Sequence, residues 1–354
     1  RHQVLRDRVA ECGLPIVYTD MVGGQDELVF DGASFALNRC GEIVLQLAEF
    51  KEQIACIEYR DGDLAKGAIA PERSIEASVY DALCLGVKDY IGKNGFPGVL
   101  LGLSGGIDSA LTLCIAVDAL GADKVHAVMM PSQYTADISI EDAQAMADSL
   151  RVKYSVIPIK PVFDSFLCAL APEFKNTRID TTEENLQARI RGTMLMALSN
   201  KFGSIVLTTG NKSEMAVGYS TLYGDMAGGF AVIKDISKTL VYRLCHYRNS
   251  IGPAIPERVI VRPPSAELRP DQKDQDSLPP YDILDAIMES YMERNRSPQE
   301  IIEQGFLRED VERVVRLIKR NEYKRRQAPI GVRITERGFG KDWRYPITSK
   351  YQDI

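Results

Sequence analysis

What this 354-residue chain lacks narrows its identity first. It has no basic excess: 43 Lys and Arg against 49 Asp and Glu leave a net charge of −6. Non-specific nucleic-acid binding needs a basic surface, so nucleic acid is not an expected partner. No stretch approaches ~18 uninterrupted apolar residues, the length that a membrane-spanning helix requires, and no membrane association is expected. The seven cysteines, at 12, 40, 56, 84, 114, 168 and 245, are odd in number and include no CxxC pair. That disfavours metal and disulfide frameworks and points to a reducing cytoplasm. The three histidines, His2, His126 and His246, form no cluster, and His126 reads as a satisfied core residue inside an apolar strand. Internal repeats are absent. The opening Arg1-His2-Gln3-Val4 is neither a Met start nor a signal peptide, which predicts a chain beginning part-way through a longer protein.

What is present is enough for a sizeable core. Hydrophobic residues make up 45%, and the length suggests about two domains. Residues 1–60 alternate a polar helix, Arg1 to Cys12, with short strand patterns at 14–18, 35–37 and 43–45. Gly23 to Asp26 reads as a turn, and Asn38 to Gly41 as a hairpin connection. Residues 61–72 turn to Asp, Gly, Ala and Lys without apolar periodicity and read as a linker. From residue 73 to 354 the pattern is βαβ. Ile75, Val79, Leu83 and Val87 form a helical core face. Strands are expected at 99–103, 125–130, 154–159 and 205–209, with helices at 108–120 and 140–150. That alternation predicts an α/β fold, a Rossmann-like parallel sheet with helices on both faces. Capping boxes are expected at Thr181 with Glu184 and at Ser297 with Glu300. Between them, Arg262 to Pro280 is rich in Pro, Asp and Gln, has little to bury and reads as a mobile loop, a candidate lid.

The string Leu103-Ser104-Gly105-Gly106-Ile107-Asp108-Ser109 follows a strand and opens a helix. Adjacent glycines let an anion approach the backbone, and Ser104, Ser109 and the helix N-terminal N–H groups can hold phosphate oxygens. Asp108 adds negative charge there, which makes sense if Mg²⁺ sits between it and the phosphates. No Gly-Lys-Ser/Thr follows, so this is not a Walker A loop, and it is not GxGxxG either. The bland alternative, a tight turn with an Asp cap, is outweighed by the whole string in its strand–helix setting.

Asn185 and Arg189 stand four apart on one helix face and can hold a ribose, phosphate or pyridine carboxylate, or simply form a solvated face. Thr209 ends a strand at the edge where ligands of open α/β folds sit, and Glu214 lies five residues on, within reach of metal or substrate. Lys238 can neutralise phosphate charge, with Lys234 as its rival.

These residues carry a resemblance. Ser104 to Ser109 resembles the pyrophosphatase loop of the ATP-pyrophosphatase, or N-type, superfamily. The strings Leu207 to Glu214, Gly218 to Asp225, Asn185 to Arg191, Pro263 to Leu268 and Tyr323 to Arg326 resemble the NAD synthetase family. Val22 to Gly32 is similar to the last part of a nitrilase-type glutaminase domain, which marks the glutamine-dependent branch. Residues 1–60 would then be a remnant of that α/β nitrilase-type domain, and 73–354 an adenine nucleotide alpha-hydrolase-like synthetase domain. None of Cys12, Cys40 and Cys56 has the family's nucleophile context, so glutamine hydrolysis is expected to depend on residues upstream of Arg1. This stretch would then turn over ammonia but not glutamine.

The resemblance implies ATP-dependent amidation of deamido-NAD to NAD, with AMP and pyrophosphate released, ammonia or glutamine as nitrogen donor, and a homo-oligomeric protein. It implies ATP contacts at Gly102, Leu103, Ser104, Gly105, Gly106, Ile107, Asp108, Ser109, Thr209, Lys238 and Ser265. Deamido-NAD contacts fall on Asn185, Arg189, Glu214, Tyr219, Ser220, Thr221, Leu222 and Lys324. Mg²⁺ falls to Asp108 and Glu214, and no covalent protein nucleophile is expected. Arg325 and Arg326 read as exposed helix charges. Leu222 and Gly229 stand where ammonia-only members carry Lys and Asp, again pointing to the glutamine-dependent branch. The rival readings are another superfamily amidotransferase, such as a GMP synthetase, and a non-catalytic nucleotide-binding scaffold.

Overall fold

The computed structural model describes residues 1–270, 272–349 and 351. The chain divides into two compact units, Arg1–Tyr90 and Ile91 onward.

In the first unit the helix His2–Cys12 ends on Gly13 at φ 66°, a left-handed stop that glycine adopts without strain. Strands Ile16–Tyr18, Phe35–Leu37 and Ile43–Gln46 form an antiparallel sheet with Phe35–Leu37 in the middle. Val9, Phe35 and Leu37 are its buried core, packed by Leu5, Ile16, Tyr18 and Ile43. Gly23 and Gly24, expected in a turn, instead lie in the strand Val22–Gln25, paired antiparallel to Leu28–Asp31. The reversal falls one step later, at Asp26, whose φ of 55° supplies the left-handed residue. The expected linker carries a hairpin of two-residue strands, Tyr59–Arg60 with Asp63–Leu64. The helix Ile75–Lys93 buries Leu83 and Val87 as its periodicity requires, but Ile75, in its first turn, is 65% exposed.

The second unit is a five-stranded parallel sheet in the order Lys153–Val156, Val125–Met129, Val99–Gly102, Ile205–Thr208, Phe230–Ala231. Central strands are continuous apolar runs because both faces are covered. One face packs Leu100, Val128 and Val206 against Ile159, Phe163, Ile190 and Leu195 from the helices Lys160–Leu170 and Thr181–Phe202. The buried helix Ile107–Leu120 packs on the sheet with Asp137–Leu150 and Lys238–Ile251 beside it. A separate helical core of Leu284, Ile287, Met288, Ile301, Val311, Val314 and Ile318 closes over Ala216 and Val217. Among the described residues no helix is long and apolar enough to cross a membrane.

Several boundaries differ from expectation. The strand expected at 154–159 runs Lys153–Val156 at the sheet edge and is only half-buried. The long helix is capped one residue early: Asp180 accepts from the Thr182 N–H, and Glu183 reaches back to the Asp180 N–H at 2.9 Å. Both Asp180 and Thr181 are good cap residues, and Asp180 wins because its box is reciprocal. The Ser297–Glu300 box forms as expected. His126 is half-buried and hydrogen-bonded to Ser155 at 2.9 Å across neighbouring strands. The segment 262–280 buries Gln272, Asp274 and Leu278, contrary to the expectation that it has little to bury. Asp271 lies outside the described residues.

Candidate functional site

Strand order sets the place. From Val99–Gly102 the chain first winds outward through two strands, then returns to the other side with Ile205–Thr208. The loops leaving these two adjacent strands diverge, and the crevice between them is the position where open α/β sheets bind ligands. One loop is Ser104–Ser109; the other carries Thr209 to Glu214.

Gly105 has φ +78°, and a Cβ there would meet the Ser139 carbonyl oxygen at 2.3 Å, so only glycine fits. Ser109 Oγ accepts the Ser104 N–H at 3.2 Å and donates to the Gly106 carbonyl at 2.9 Å. Ser104 and Ser109 hydroxyls lie 3.1 Å apart. Gly106, the N-cap of Ile107–Leu120, offers no side chain to the first-turn N–H groups. A 14-residue helix thus points an uncapped positive end at the loop. Gly102 and Leu103 lead into it, with Leu103 buried.

Asp108, in the first helical turn, meets the second loop. Its Oδ1 accepts Asn211 Nδ2 at 2.8 Å, and its Oδ2 pairs with Lys238 Nζ. Lys238 Nζ is also 3.7 Å from Glu214 Oε1. Asn211 is buried and caps the helix Lys212–Val217, accepting the Glu214 N–H at 2.9 Å. Burial, then the Asp108 charge, pushes the Glu214 carboxyl up to about 8 against the opposing pull of Lys238. Burial pulls the Lys238 ammonium down, but Asp108 and Glu214 together outweigh it and hold it above its ordinary range. Lys238 is placed by its own backbone: its N–H donates to Ser213 Oγ at 2.9 Å, and Ser213 in turn bonds Asp285. The rival Lys234 instead donates to the Pro329 carbonyl at 2.6 Å.

The residues expected at the dinucleotide also gather. Thr221 Oγ1 donates to Asn185 Oδ1 at 2.7 Å, and Arg189 Nε donates to the Leu222 carbonyl at 3.2 Å. Lys324 Nζ donates to the carbonyls of Gly218 and Ser220, at 2.8 and 2.7 Å. Tyr219 and Ser220 lie between these contacts, and Ser220 Oγ donates to Met226 Sδ. Thr209 is half-buried at the strand end. Ser265 is exposed, and its hydroxyl accepts the Glu267 N–H at 3.2 Å.

Other members of the site escaped the sequence reading. Arg262 donates to the Gly105 carbonyl at 2.9 Å and to Ser139 Oγ at 3.0 Å, and Ser139 donates to Glu267 at 2.6 Å. Lys212 is fully buried, with Asp235 at 2.9 Å and Glu293 at 2.8 Å. Arg325, expected to be exposed, is 5% exposed. It pairs with Glu322 and donates to the Ala216 carbonyl at 2.7 Å. Arg326 is exposed as expected. At Gly229 a Cβ would meet the Ile205 side chain at 2.3 Å, so a larger residue there requires Ile205 to shift.

Asp108 and Glu214 converge on one ammonium, and among the described residues no group of three or more His, Cys, Asp or Glu gathers as a metal cage. That donor set suits Mg²⁺, which binds through one or two carboxylates and completes its shell with water and substrate phosphates.

The family model described as NAD synthase matches residues 79–328. The chain is 54% identical over 356 residues to the glutamine-dependent NAD(+) synthetase of Acinetobacter baylyi, covering 99% of this chain and 66% of the relative. It is 46% identical to that of Aquifex aeolicus, covering 99% and 68%. A solved glutamine-dependent NAD+ synthetase from Acinetobacter baumannii, in complex with ADP, superposes with a TM-score of 0.73 at 51% identity. That match covers 100% of this chain and 65% of the solved one. The chain thus spans about two thirds of the length of these relatives.

Proposed function

The chain belongs to the NAD synthase family, and from that premise we propose that it amidates deamido-NAD to NAD at the expense of ATP. The nicotinate carboxylate attacks the α-phosphorus of ATP, and pyrophosphate leaves. Ammonia then attacks the adenylated carboxyl carbon, and AMP leaves with the amide formed. Glutamine is the proposed ultimate donor, as the relatives' names state, with ammonia the species that reaches the adenylate.

Each residue has a physical task in this reading. Ser104, Ser109 and the first-turn N–H groups of Ile107–Leu120 take the phosphate oxygens, and Gly105 lets them approach. Lys238 offsets the charge that builds on the departing pyrophosphate. Thr209 and Ser265 flank the nucleotide. Asn185, Arg189, Thr221, Leu222, Tyr219, Ser220 and Lys324 hold the dinucleotide, so the two reacting groups meet in one geometry rather than by chance. Asp108 and Glu214 would hold Mg²⁺, which supplies charge neutralisation at the phosphates. No protein nucleophile is needed.

The observation that carries this reading is the convergence of Asp108, Asn211, Glu214 and Lys238 beside the phosphate loop. The test is pyrophosphate release from ATP in ammonium salts. It should require deamido-NAD and yield AMP and NAD in equal amounts. Release driven by xanthosine monophosphate would favour a GMP synthetase, and ATP binding without turnover a scaffold.

A further inference from the structure

The Gly105–Gly106 peptide is the least constrained link of the phosphate loop, because neither residue has a side chain to fix it. Its carbonyl is nonetheless held: Arg262 Nη2 donates to the Gly105 oxygen at 2.9 Å, across 157 residues of sequence. In a planar trans peptide the carbonyl and the following N–H point in opposite directions. Holding the Gly105 carbonyl toward Arg262 therefore turns the Gly106 N–H to the other side, where Ser104 Oγ accepts it at 3.3 Å. That bond is long, so the N–H is readily given up to a phosphate oxygen. A flipped peptide would instead aim the negative end of the carbonyl at the incoming phosphate. The next peptide needs no such help, because Ser109 Oγ already donates to the Gly106 carbonyl at 2.9 Å.

Arg262 is itself braced. Its Nη1 donates to Ser139 Oγ at 3.0 Å, and that hydroxyl donates its own proton to Glu267 Oε1 at 2.6 Å. Ser139 is fully buried, and its backbone is the wall that only glycine at position 105 clears. The other oxygen of Glu267 accepts the Ala136 N–H at 3.3 Å, at the start of the helix Asp137–Leu150, whose N-cap Ala136 has no capping side chain. Glu267 has a φ of 50°, a conformation that costs free energy in a residue with a side chain and persists where contacts hold it. One buried hydroxyl thus joins the wall of the phosphate loop to both Arg262 and Glu267.

We propose that Arg262 is a positioning residue for the phosphates of ATP, acting through the Gly105–Gly106 peptide, with Ser139 and Glu267 as its support. This rests on the proposed use of ATP by the loop. With the Gly105 carbonyl pinned away, the Gly106 N–H joins the Ser104 and Ser109 hydroxyls and the first-turn N–H groups as a donor to phosphate oxygens. The guanidinium spends its own donors on the carbonyl and on Ser139 and does not grip the phosphates itself. The Gly106 N–H meets the same oxygens before and during the departure of pyrophosphate, so its loss weakens ATP binding more than it slows the chemical step.

The test titrates the protein calorimetrically with ATP and with inorganic pyrophosphate, each with Mg²⁺, and then measures kcat and both substrate KM values in ammonium salts. Arg262→Met removes the guanidinium, Arg262→Lys keeps one donor for the Gly105 carbonyl, and Ser139→Ala keeps the wall but loses the hydroxyl. The Kd and KM for ATP should rise about 10–100-fold in Arg262→Met, the loss of a hydrogen bond from a charged donor. The Kd for pyrophosphate should rise in parallel, while kcat at saturating ATP and the KM for deamido-NAD change far less. Arg262→Lys should recover most of the affinity, and Ser139→Ala should lose about 3–10-fold. Unchanged ATP and pyrophosphate binding in Arg262→Met overturns the proposal. So does a rise in both substrate KM values that tracks a lowered Tm, which assigns Arg262 to overall stability. Weak binding in both Arg262 variants with normal binding in Ser139→Ala also overturns it, because the guanidinium then grips the phosphates directly. The expected binding pattern without NAD formation by the unmodified protein upholds the role of Arg262 and sinks the amidation reading instead.

Discussion

Lys238 reaches Asp108 across 130 residues of sequence, and their contact joins the N-terminus of one helix to the first turn of another. Each is the largest opposite charge near the other in a site that excludes much of the solvent. Removing either leaves its partner poorly solvated.

Asp108→Asn keeps the size of the side chain and its contact with Asn211 but removes the charge. Turnover should fall about 10²-fold or more, the cost of deleting one electrostatic stabiliser at a reacting centre. Steady-state pyrophosphate release at saturating Mg²⁺ decides this, and near-normal activity would count against a role for Asp108.

Chelation should abolish pyrophosphate release, and Mg²⁺ should restore it. Glu214→Gln should raise the Mg²⁺ concentration needed for half-maximal rate, because one of the two proposed carboxylate ligands is lost. A magnesium dependence identical to that of the unmodified protein would exclude Glu214 as a ligand.

Gly105→Ala places a Cβ against the Ser139 carbonyl at a left-handed φ. The backbone strain alone should cost about 1–3 kcal/mol, and the contact adds to it. Thermal unfolding should show a lowered Tm, and ATP should no longer protect the protein from unfolding.

Lys212→Met leaves Asp235 and Glu293 buried without their cation. Stability should drop by about 3–5 kcal/mol, as for other broken buried ion pairs. Urea unfolding measures it, and a change below about 1 kcal/mol, the range of exposed pairs, would contradict the burial described.

Thiol reactivity should divide the cysteines by environment. Cys12, Cys40, Cys56 and Cys168 are exposed, whereas Cys114 and Cys245 are buried. Burial pushes the Cys114 thiol up to about 12 and raises Cys245 as well, so neither supplies thiolate at neutral pH. Alkylation followed by mass spectrometry should label the first four in the native protein, and Cys114 and Cys245 only after denaturation.

The legible part of this protein is local. Ser104 to Ser109 could be read because two glycines, two serines and an Asp between a strand and a helix leave few other uses. The helix Ile107–Leu120 and the central strands announced themselves by continuous apolar runs. What stayed hidden depends on distant partners. Arg325 reads as an exposed helix charge until the Ala216 carbonyl arrives from 109 residues away, and Lys212 is buried by Glu293 from 81 residues away. Phe230–Ala231 is too short to show a period, and it becomes a strand only because Ile205–Thr208 lies beside it. Asp274 sat in a segment whose composition suggested solvent, yet Tyr281 and the site bury it.

Asn211 illustrates how tightly one position can be specified. As the N-cap of Lys212–Val217 alone, it would have acceptable substitutes in Ser, Thr and Asp, all good caps. Its second bond, from Nδ2 to Asp108, needs a donor on the same side chain. Asp there would set one carboxylate against another, and Ser or Thr would be too short to serve both partners. The helix tolerates several residue types and the charged site tolerates others, but the two sets share asparagine. A saturation library at this codon, selected for activity, should therefore return little besides the parental residue, even where folding survives.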